Sequence, residues 1–185
     1  MAALYLIPVT LGSTPVEQVL PSYSHDVIMP IRHFIVEEVR TARRFLKQVD
    51  KSIDIDQLTF YPMGKHADRA IFSQYLEPLR KGEDMGVISE AGCPAVADPG
   101  ADVVAIAQSE GMKVVPLVGP SSIIMSLMAS GFNGQNFAFH GYLPIDTHDR
   151  TAALRRMEAV SAASGQTQMF IETPYRNRKM IETVI

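Results

Sequence analysis

Short apolar segments that alternate with helical patterns dominate the first part of the sequence. Continuous apolar runs of this kind are typical of strands buried on both faces of a parallel sheet. Between them, apolar residues recur at three- and four-residue steps, as at Val39, Ala42 and Leu46, which predicts helices. The predicted strands are 4–9, 31–36, 58–62, 85–89 and 114–117, and the predicted helices are 16–20, 37–49, 68–80 and 101–108. This order predicts an α/β fold with a doubly wound, mainly parallel sheet.

Two stretches complete this interpretation of the chain. Residues 21–30 are interpreted as a polar connection between a short first helix and the second strand. After residue 118 a second unit begins, with an apolar helix to Gly131, a strand at 136–141, a helix at 151–163, a strand at 167–172 and a further helix from Thr173. About 65 residues are few for an independent core, so we expect this second α/β domain to be incomplete. The predicted domains are 1–118 and 119–185.

Bulk composition narrows the class of protein. A formal net charge of −3 argues against nucleic-acid binding by a uniformly basic surface. The single cysteine, Cys93, excludes an internal disulfide framework and a cysteine-based zinc site, and it fits a reducing cytoplasm. Residues 1–9 lack a basic region and are too short to span a bilayer, so we predict a strand there, with no signal or membrane anchor.

One stretch, residues 87–100, looks like more than an ordinary connection. A short apolar run ends at Ser89 and is followed by a loop of small residues, glycine and proline, which presents backbone to its surroundings. Asp98 as N-cap and Pro99 as first helical residue predict the start of the next helix. Taken alone, the loop fits a routine strand-to-helix turn and a ligand site equally well.

Several familiar sites are absent from the sequence. It contains neither the Walker pattern nor a G-x-G-x-x-G turn after the first strand, which argues against a nucleotide-phosphate cradle. No G-x-S-x-G elbow surrounds Ser89, and Cys93 beside Pro94 is better interpreted as a small packed residue than as a nucleophile. The five histidines show no metal-binding spacing. They are His25, His33, His66, His140 and His148.

Four loops follow predicted strands and are therefore expected at the carboxyl edges of the sheets. Ligands bind at that edge in open α/β sheets. Backbone N–H and C=O groups there can hold a ligand that is part zwitterion and part heterocycle. The loops are Leu11-Gly12, Ser89 to Cys93, Gly119 to Ser122 and Glu172-Thr173.

With these residues in place, the chain resembles the tetrapyrrole methylase superfamily of S-adenosylmethionine-dependent methyltransferases. Within it, the chain is most similar to the bacterial 16S rRNA ribose 2′-O-methyltransferase branch, which modifies a cytidine. Three ordered motifs carry the resemblance. In the branch, the first motif is S-D-A-G-T-P followed by S-D-P-G. The second is V-V-P-I-P-G-P-S, and the third is G-F-L-P followed by E-S-P-H-R. The matching segments here are residues 89–94 with 98–100, residues 114–121, and residues 141–144 with 172–176.

The resemblance implies two α/β domains, with S-adenosylmethionine in the cleft between them, and a homodimer. It further implies that a strand-rich segment beyond Ile185 completes the second domain. Carried over by position, the residues implied to bind the methyl donor are Leu11, Ser89, Glu90, Ala91, Gly92, Cys93, Ser122, Ile123 and, at the far strand end, Glu172.

The departures from this branch fall where the methyl acceptor is expected. They lie in the first loop, residues 9–13, in residues 37–42, and in residues 146–150, where a basic run is reduced. We predict that Glu37 accepts or orients a proton of the acceptor and that Arg40 contacts an anionic group, although their i, i+3 spacing also permits a salt bridge between them.

The acceptor itself stays open at this point. Ribosomal RNA or the small ribosomal subunit is one candidate, supported by two basic clusters that also suit solvated helix faces. A small tetrapyrrole-like acceptor and a non-catalytic module that only binds S-adenosylmethionine are the alternatives. The basic clusters are Arg40, Arg43, Arg44 and Lys47, and Arg176, Arg178 and Lys179.

Overall fold

The computed structural model describes residues 2–64 and 69–185, and the chain divides into two compact units, the first ending at Ser122 and the second running from Ile123 to Ile185. The strands of the first unit are β1 (Ala3–Ile7), β2 (His33–Val36), β3 (Thr59–Pro62), β4 (Met85–Ile88) and β5 (Lys113–Pro116). Its helices are α1 (Val16–Val19), α2 (Ser22–Ile28), α3 (Val39–Val49), α4 (Arg69–Tyr75), α5 (Glu77–Arg80) and α6 (Ala101–Ser109), and a 3₁₀ turn covers Ile55–Gln57.

The sheet of the first unit is parallel throughout, in the order β3-β2-β4-β1-β5. Its register aligns the strand ends: Ile7 and Val36 both pair with Ile88. The loops that follow the strands therefore leave from one edge. The predicted α/β class with a mainly parallel sheet is confirmed.

Both faces of this sheet are buried, which explains why its strands are continuous apolar runs. Along β2, Phe34 and Val36 pack with residues of α2 and α3, whereas Ile35 packs on the opposite side with residues of α4, α5 and α6. The helices that follow β1 and β2 thus cover one face, and those that follow β3 and β4 cover the other.

The predicted polar connection at 21–30 was wrong, because most of it forms α2. Pro21 both ends the preceding segment and stands at the N-cap of this helix, a position where a missing N–H costs nothing. Ser24 and Ile28 turn inward, while the polar residues between them face solvent. The inward stripe is too short to have been recognised as helical periodicity.

Two predicted helices have different limits in the structure. The helix predicted from Glu37 begins at Val39, because the Glu38 side chain accepts a hydrogen bond from the N–H of Arg40 and caps it. The helix predicted for 68–80 is two helices, α4 and α5, separated at Leu76 because Pro78 has no N–H to continue the first. Asp68, where that helix was predicted to begin, lies outside the described residues.

The second unit is built on two parallel strands, β6 (Phe137–Tyr142) and β7 (Thr167–Ile171). The helix α7 (Ser122–Ser130) leads into it, α8 (Thr147–Ser164) connects its strands, and a 3₁₀ turn at Pro174–Arg176 precedes α9 (Asn177–Val184). α8 begins at Thr147 and not at residue 151, because the Asp146 carboxylate caps it by accepting from the N–H of Asp149. Its buried core is small and consists of Leu143, Met157 and Met180.

Arg150 has a structural role in the second unit. Its side chain is buried, and its guanidinium donates to the Thr183 hydroxyl at 2.9 Å and to the carbonyl of Ile145 at 2.9 Å. It lies in the segment expected to face the acceptor, residues 146–150. That expectation is wrong for Arg150, because its hydrogen-bonding groups tie the start of α8 to α9.

Within residues 2–64 and 69–185, no helix is long and apolar enough to cross a membrane.

An ion pair between α2 and the end of α3 makes stability depend on pH. His25 Nε2 lies 2.9 Å from Asp50 Oδ2; this contact, followed by the Asp26 carboxylate, raises the pKa of His25, and the same contact holds the pKa of Asp50 well below its usual range. A raised histidine pKa stabilises the fold below about pH 6.5 and loses this effect at higher pH. A lowered aspartate pKa stabilises it above about pH 4 and loses this effect in acid.

We therefore expect the stability difference between the native chain and His25→Gln to be largest between about pH 4 and 6.5 and to shrink towards pH 9. Thermal unfolding followed by circular dichroism across this range measures it. His148→Gln, on an exposed turn of α8, is the matched control. A difference that is constant with pH for His25→Gln would contradict the assignment.

Candidate functional site

The loop after β4 occupies the point where the sheet connections change sides. It leads to α6 on one face, whereas the loops after the neighbouring strands β1 and β2 lead to helices on the other face. Connections that diverge in this way leave a crevice outside the carboxyl ends of the strands, where ligands of α/β sheets bind. Residues Ser89 to Cys93 border this crevice.

The loops after β1, β4 and β5 meet at Gly92. Val9 and Gly92 exchange two backbone hydrogen bonds, of 2.9 and 3.0 Å. A Cβ atom on Gly92 would lie 3.2 Å from Cδ2 of Leu11 and 3.5 Å from the carbonyl oxygen of Pro120, and the backbone φ of Gly92 is +71°. The positive φ favours glycine here, and a Cβ would in addition crowd the end of the Leu11 side chain. We call this meeting point the Gly92 junction, formed by Val9, Leu11, Gly92, Cys93 and Pro120.

Cys93 is part of the packing of this junction. Its thiol donates to the carbonyl oxygen of Pro120 at 3.4 Å, and burial raises the pKa of the thiol. A raised pKa leaves less of the thiolate that attacks an electrophile. The structure thus supports the interpretation of Cys93 as a packed residue.

The hydroxyl of Ser89 lies at the base of the same loop. Ser89 is 3% exposed, and in the described part of the chain its oxygen makes no hydrogen bond of normal geometry. Burial raises the pKa of the Asp98 carboxyl group. The Ser89 hydroxyl lies close enough to this group to oppose part of that increase. Ser89 is therefore a buried polar group that faces a carboxylate with little access to water.

Asp98 does not cap α6, contrary to the sequence-based prediction. The N-cap of this helix is Gly100, with φ +124°, and the helix begins at Ala101. Asp98 lies in the preceding turn, partly buried near Ser89. Asp98 and Pro99 correctly predicted that a helix begins shortly after them, but the Asp98 side chain lies near Ser89 and does not cap that helix.

Strained backbone follows the junction. Ala95 and Ala97 have φ values of +66° and +60°, a conformation that costs an alanine about 1–2 kcal/mol. The carbonyl of Pro99 accepts from the N–H of Ala95 at 3.2 Å and closes the turn. Strain of this kind persists only where surrounding contacts determine the backbone, and it clusters at functional sites.

Glu37, the predicted proton acceptor, is attached to the loop after β4. Its backbone N–H donates to the carbonyl of Ile88 at 3.1 Å, and its carboxylate accepts from the N–H of Glu90 at 3.3 Å. The Glu90 carboxylate in turn accepts a hydrogen bond from the hydroxyl of Thr41. The structure thus brings Glu37 next to the predicted donor loop, and Arg40 lies in the first turn of α3.

Glu172 uses its carboxylate within the second unit. Arg176 Nε and Nη2 each donate to it at 2.7 Å, and the N–H of Thr173 donates at 2.7 Å. The hydrogen bond from Arg176 is the main reason why the pKa of Glu172 is lowered. The sequence Glu172-Thr173-Pro174-Tyr175-Arg176 is therefore a turn closed by its own ion pair. Ser122 and Ile123, also predicted at the donor, form the first turn of α7.

Most cations of the two basic clusters have partners of their own. The Arg43 guanidinium lies 5.4 Å from the ring centroid of Phe60, and Lys47 Nζ donates to the carbonyl of Lys51 at 2.9 Å. Arg176 pairs with Glu172, and Arg178 pairs with Glu182 at 3.1 Å. Carboxylates therefore offset the charges of Arg176 and Arg178, whereas Arg43 and Lys47 keep theirs.

A cavity of about 230 Å³ adjoins the Gly92 junction. It lies between the loop after β1 and one face of α3, to which Thr41, Arg44 and Gln48 contribute at three- and four-residue steps. The sequence placed Thr41 in the segment expected at the acceptor, residues 37–42, and Arg44 in a basic cluster, but it gave no indication of Gln48. The spacing of these residues was the available signal, but it is shared by every polar helix face.

Within the described residues, no group of three or more histidine, cysteine, aspartate or glutamate side chains is arranged to hold a metal ion. His66 lies outside the described residues.

The positive φ at Ala97 leads to a stability prediction. Ala97 is exposed, so Ala97→Gly removes the strain without removing a buried contact, and we expect it to stabilise the fold by about 0.5–1 kcal/mol. Ala105→Gly, at an exposed position inside α6, is the matched control and should destabilise by about 1 kcal/mol. Urea unfolding measures both, and the same sign for the two substitutions would show that Ala97 is unstrained.

Comparison with known proteins gives the chain a family context. No family model matches it. Ribosomal RNA small subunit methyltransferase I of Vibrio cholerae is 30% identical over 173 residues, which cover 94% of this chain and 56% of the relative. The same-named protein of Escherichia coli O157:H7 is 25% identical over 182 residues, covering 98% of this chain and 59% of the relative. The chain spans about half the length of the curated relatives that it matches.

Two solved structures that share the fold are methyltransferases. The methyltransferase CobJ superposes with a TM-score of 0.63 and 14% identity, covering 99% of this chain and 74% of its own. Precorrin-6Y methylase of Archaeoglobus fulgidus gives a TM-score of 0.50 and 18% identity, covering 83% and 68%. At these identities the likeness concerns the fold alone. The predicted resemblance is thereby confirmed: in sequence the chain is similar to the ribosomal RNA small subunit methyltransferase I proteins, and it has the fold of these two methylases.

Proposed function

We propose that this protein is an S-adenosylmethionine-dependent methyltransferase that modifies the RNA of the small ribosomal subunit. The observation that carries the proposal is the Gly92 junction, where three strand-end loops meet at a glycine whose backbone φ is positive. The curated relatives, which bear the name of an rRNA methyltransferase, support this acceptor. The ribose 2′-oxygen of a cytidine is the acceptor atom that the sequence motifs favour.

The residues around the junction fit a donor that is part zwitterion and part heterocycle. Leu11 offers an apolar side chain and Ser89 a buried hydroxyl. The 89–93 segment offers its remaining backbone groups, since Gly92 pairs with Val9 and the N–H of Glu90 donates to Glu37. We propose that the methyl donor is held by Leu11, Ser89, Glu90, Ala91, Gly92, Cys93, Ser122, Ile123 and Glu172, the last through its backbone.

S-adenosylmethionine, when bound, supplies a methyl group attached to a positively charged sulfur. When the methyl group is transferred, the sulfur keeps the bonding electrons and becomes a neutral thioether. The protein has to place an acceptor oxygen in line with that carbon–sulfur bond, and positioning of this kind contributes on the order of 7–11 kcal/mol in favourable cases. The rigid Val9–Gly92 pairing and the strained turn after it keep the loop in one conformation. Such preorganisation is the main catalytic contribution that we propose for this chain.

Glu37 and Arg40 are the proposed catalytic pair. Glu37 takes up or orients the proton of the acceptor hydroxyl, and Arg40 contacts an anionic group of the acceptor. The support for Glu37 is its position, since its carboxylate reaches the N–H of Glu90 in the donor loop.

Two alternatives receive less support. A small tetrapyrrole-like acceptor rests on structural neighbours of 14% and 18% identity, which speak for the fold alone. A module that binds the donor without transferring a methyl group would show cofactor binding but no labelled product.

We further propose that the protein works in the cytoplasm, where it meets ribosomal subunits. We also propose that it forms a homodimer, which light scattering on the purified chain tests.

Donor binding is the first test. We expect S-adenosylhomocysteine to bind the chain in a calorimetric titration and Gly92→Ala to weaken binding by about tenfold or more, because the new Cβ enters the junction. Gly134→Ala, in open space, is the control. Because Gly92→Ala also strains the backbone, Leu11→Ala, at a half-exposed side chain, is the second variant and should weaken binding without unfolding the chain. No heat and no thermal shift with the native chain would remove the methyltransferase proposal.

A pair of substitutions tests the role of Glu37. Glu37→Gln keeps an oxygen that can accept from the N–H of Glu90 but cannot take a proton, whereas Glu37→Ala loses both functions. If Glu37 is the base, methyl transfer to small ribosomal subunits from labelled donor falls by about 10²–10⁴-fold in Glu37→Gln, with S-adenosylhomocysteine affinity unchanged. Normal transfer by Glu37→Gln together with weak donor binding by Glu37→Ala would make Glu37 a loop anchor and disprove the base assignment.

A further inference from the structure

The cavity beside α3, called the slot below, is open to solvent on one side. Val9 and Phe45, both buried, form its apolar floor, and Leu11 stands at its mouth. Its volume of about 230 Å³ is below the range of about 300–1,000 Å³ that drug-sized ligands occupy. A single ring system fits such a space, whereas a tetrapyrrole macrocycle does not.

Polar groups line the side of the slot formed by α3. Gln48 presents an amide, which both donates and accepts hydrogen bonds and can therefore pair with the edge of a nucleobase. Thr41 and Glu90 close the end next to the donor loop, where they are hydrogen-bonded to each other. Apolar walls with one amide at the rim are the chemistry that a planar heterocycle requires.

Arg44 provides the positive charge of this cavity, and the Glu90 carboxylate at its other end accepts from Thr41. Among the described residues the Arg44 guanidinium takes part in no hydrogen bond or ion pair, and the side chain is exposed. The neighbouring cations of α3 differ in this respect, because Arg43 lies over Phe60 and Lys47 donates to a carbonyl. A guanidinium at the rim of a base-sized slot is suited to bind a phosphate, which it can contact through two N–H groups at once.

We propose that this cavity holds one nucleotide of the acceptor RNA, with the base on the apolar floor, Gln48 at the base edge and Arg44 on an adjoining phosphate. The inference rests on the proposed function, and it adds two acceptor-specificity residues that lie outside the predicted donor site and the Glu37–Arg40 pair. The slot shares Leu11, Glu90 and Ala91 with the proposed donor site, so a nucleotide in it lies next to the methyl group.

Salt-dependent RNA binding tests the role of Arg44. The probe is a short fluorescein-labelled single-stranded RNA of mixed sequence, titrated with the chain at several salt concentrations and followed by anisotropy. Loss of one phosphate contact lowers the slope of log affinity against log salt by about 0.7 for single strands, so Arg44→Ala should show this change together with weaker binding. Arg43→Ala removes the same charge from the neighbouring position on α3 and should leave the slope close to that of the native chain.

Gln48→Ala tests the base edge. We expect about a fivefold or greater loss of RNA affinity with an unchanged salt slope, because the amide contacts no phosphate. Cytidine 5′-monophosphate, the smallest probe, should compete with RNA for the native chain and compete less well for Gln48→Ala. Thermal unfolding of each variant verifies that the fold is intact.

The outcomes separate this inference from the proposed function. Methyl transfer by the native chain, combined with native-like RNA binding by Arg44→Ala and Gln48→Ala, overturns the inference and leaves the function in place. Weaker S-adenosylhomocysteine binding by Arg44→Ala assigns the cavity to the donor and also overturns it. If the native chain neither binds RNA nor transfers a methyl group to small ribosomal subunits, the proposed function fails and the inference fails with it.

Discussion

The pair of backbone hydrogen bonds between Val9 and Gly92 is the interaction on which the proposed site depends. It joins the loops of two adjacent parallel strands, β1 and β4, whose helices lie on opposite faces of the sheet. Loops that diverge in this way would otherwise separate and leave unpaired backbone at the crevice. The pairing favours glycine at position 92, because the backbone φ is positive there and a Cβ would crowd Leu11.

The distribution of charge shows how little a cluster of basic residues reveals before the fold is known. Five cations that look alike in the sequence have different surroundings: Arg43 stacks on an aromatic ring, Lys47 binds a carbonyl, Arg150 is buried, and Arg176 closes a turn. Arg44 alone among these five lines the cavity next to the proposed donor loop. The difference comes from the direction in which each side chain leaves its helix and from what packs there.

Much of the architecture and part of the site were predictable from local patterns. The five strands of the first unit and their parallel arrangement followed from apolar runs, because burial on both faces demands them. The loop at 89–93 was recognised because glycine and proline restrict the backbone in ways that do not depend on distant contacts. The errors arose where the position of one residue depended on its neighbours. Pro78 divides one predicted helix into two, and Asp98 lies near Ser89 and does not cap α6.

The sequence by itself determined the fold class, the order of the strands along the chain and the glycine at position 92, since these depend on hydrophobic periodicity and on permitted backbone angles. Only the tertiary structure decided that Leu11, Gly92 and Pro120 meet, that Glu37 reaches the N–H of Glu90, and that Thr41, Arg44 and Gln48 face a cavity. The physical reason is that these contacts join residues far apart in the chain, and their distances are set by sheet register and helix packing, which local sequence does not encode.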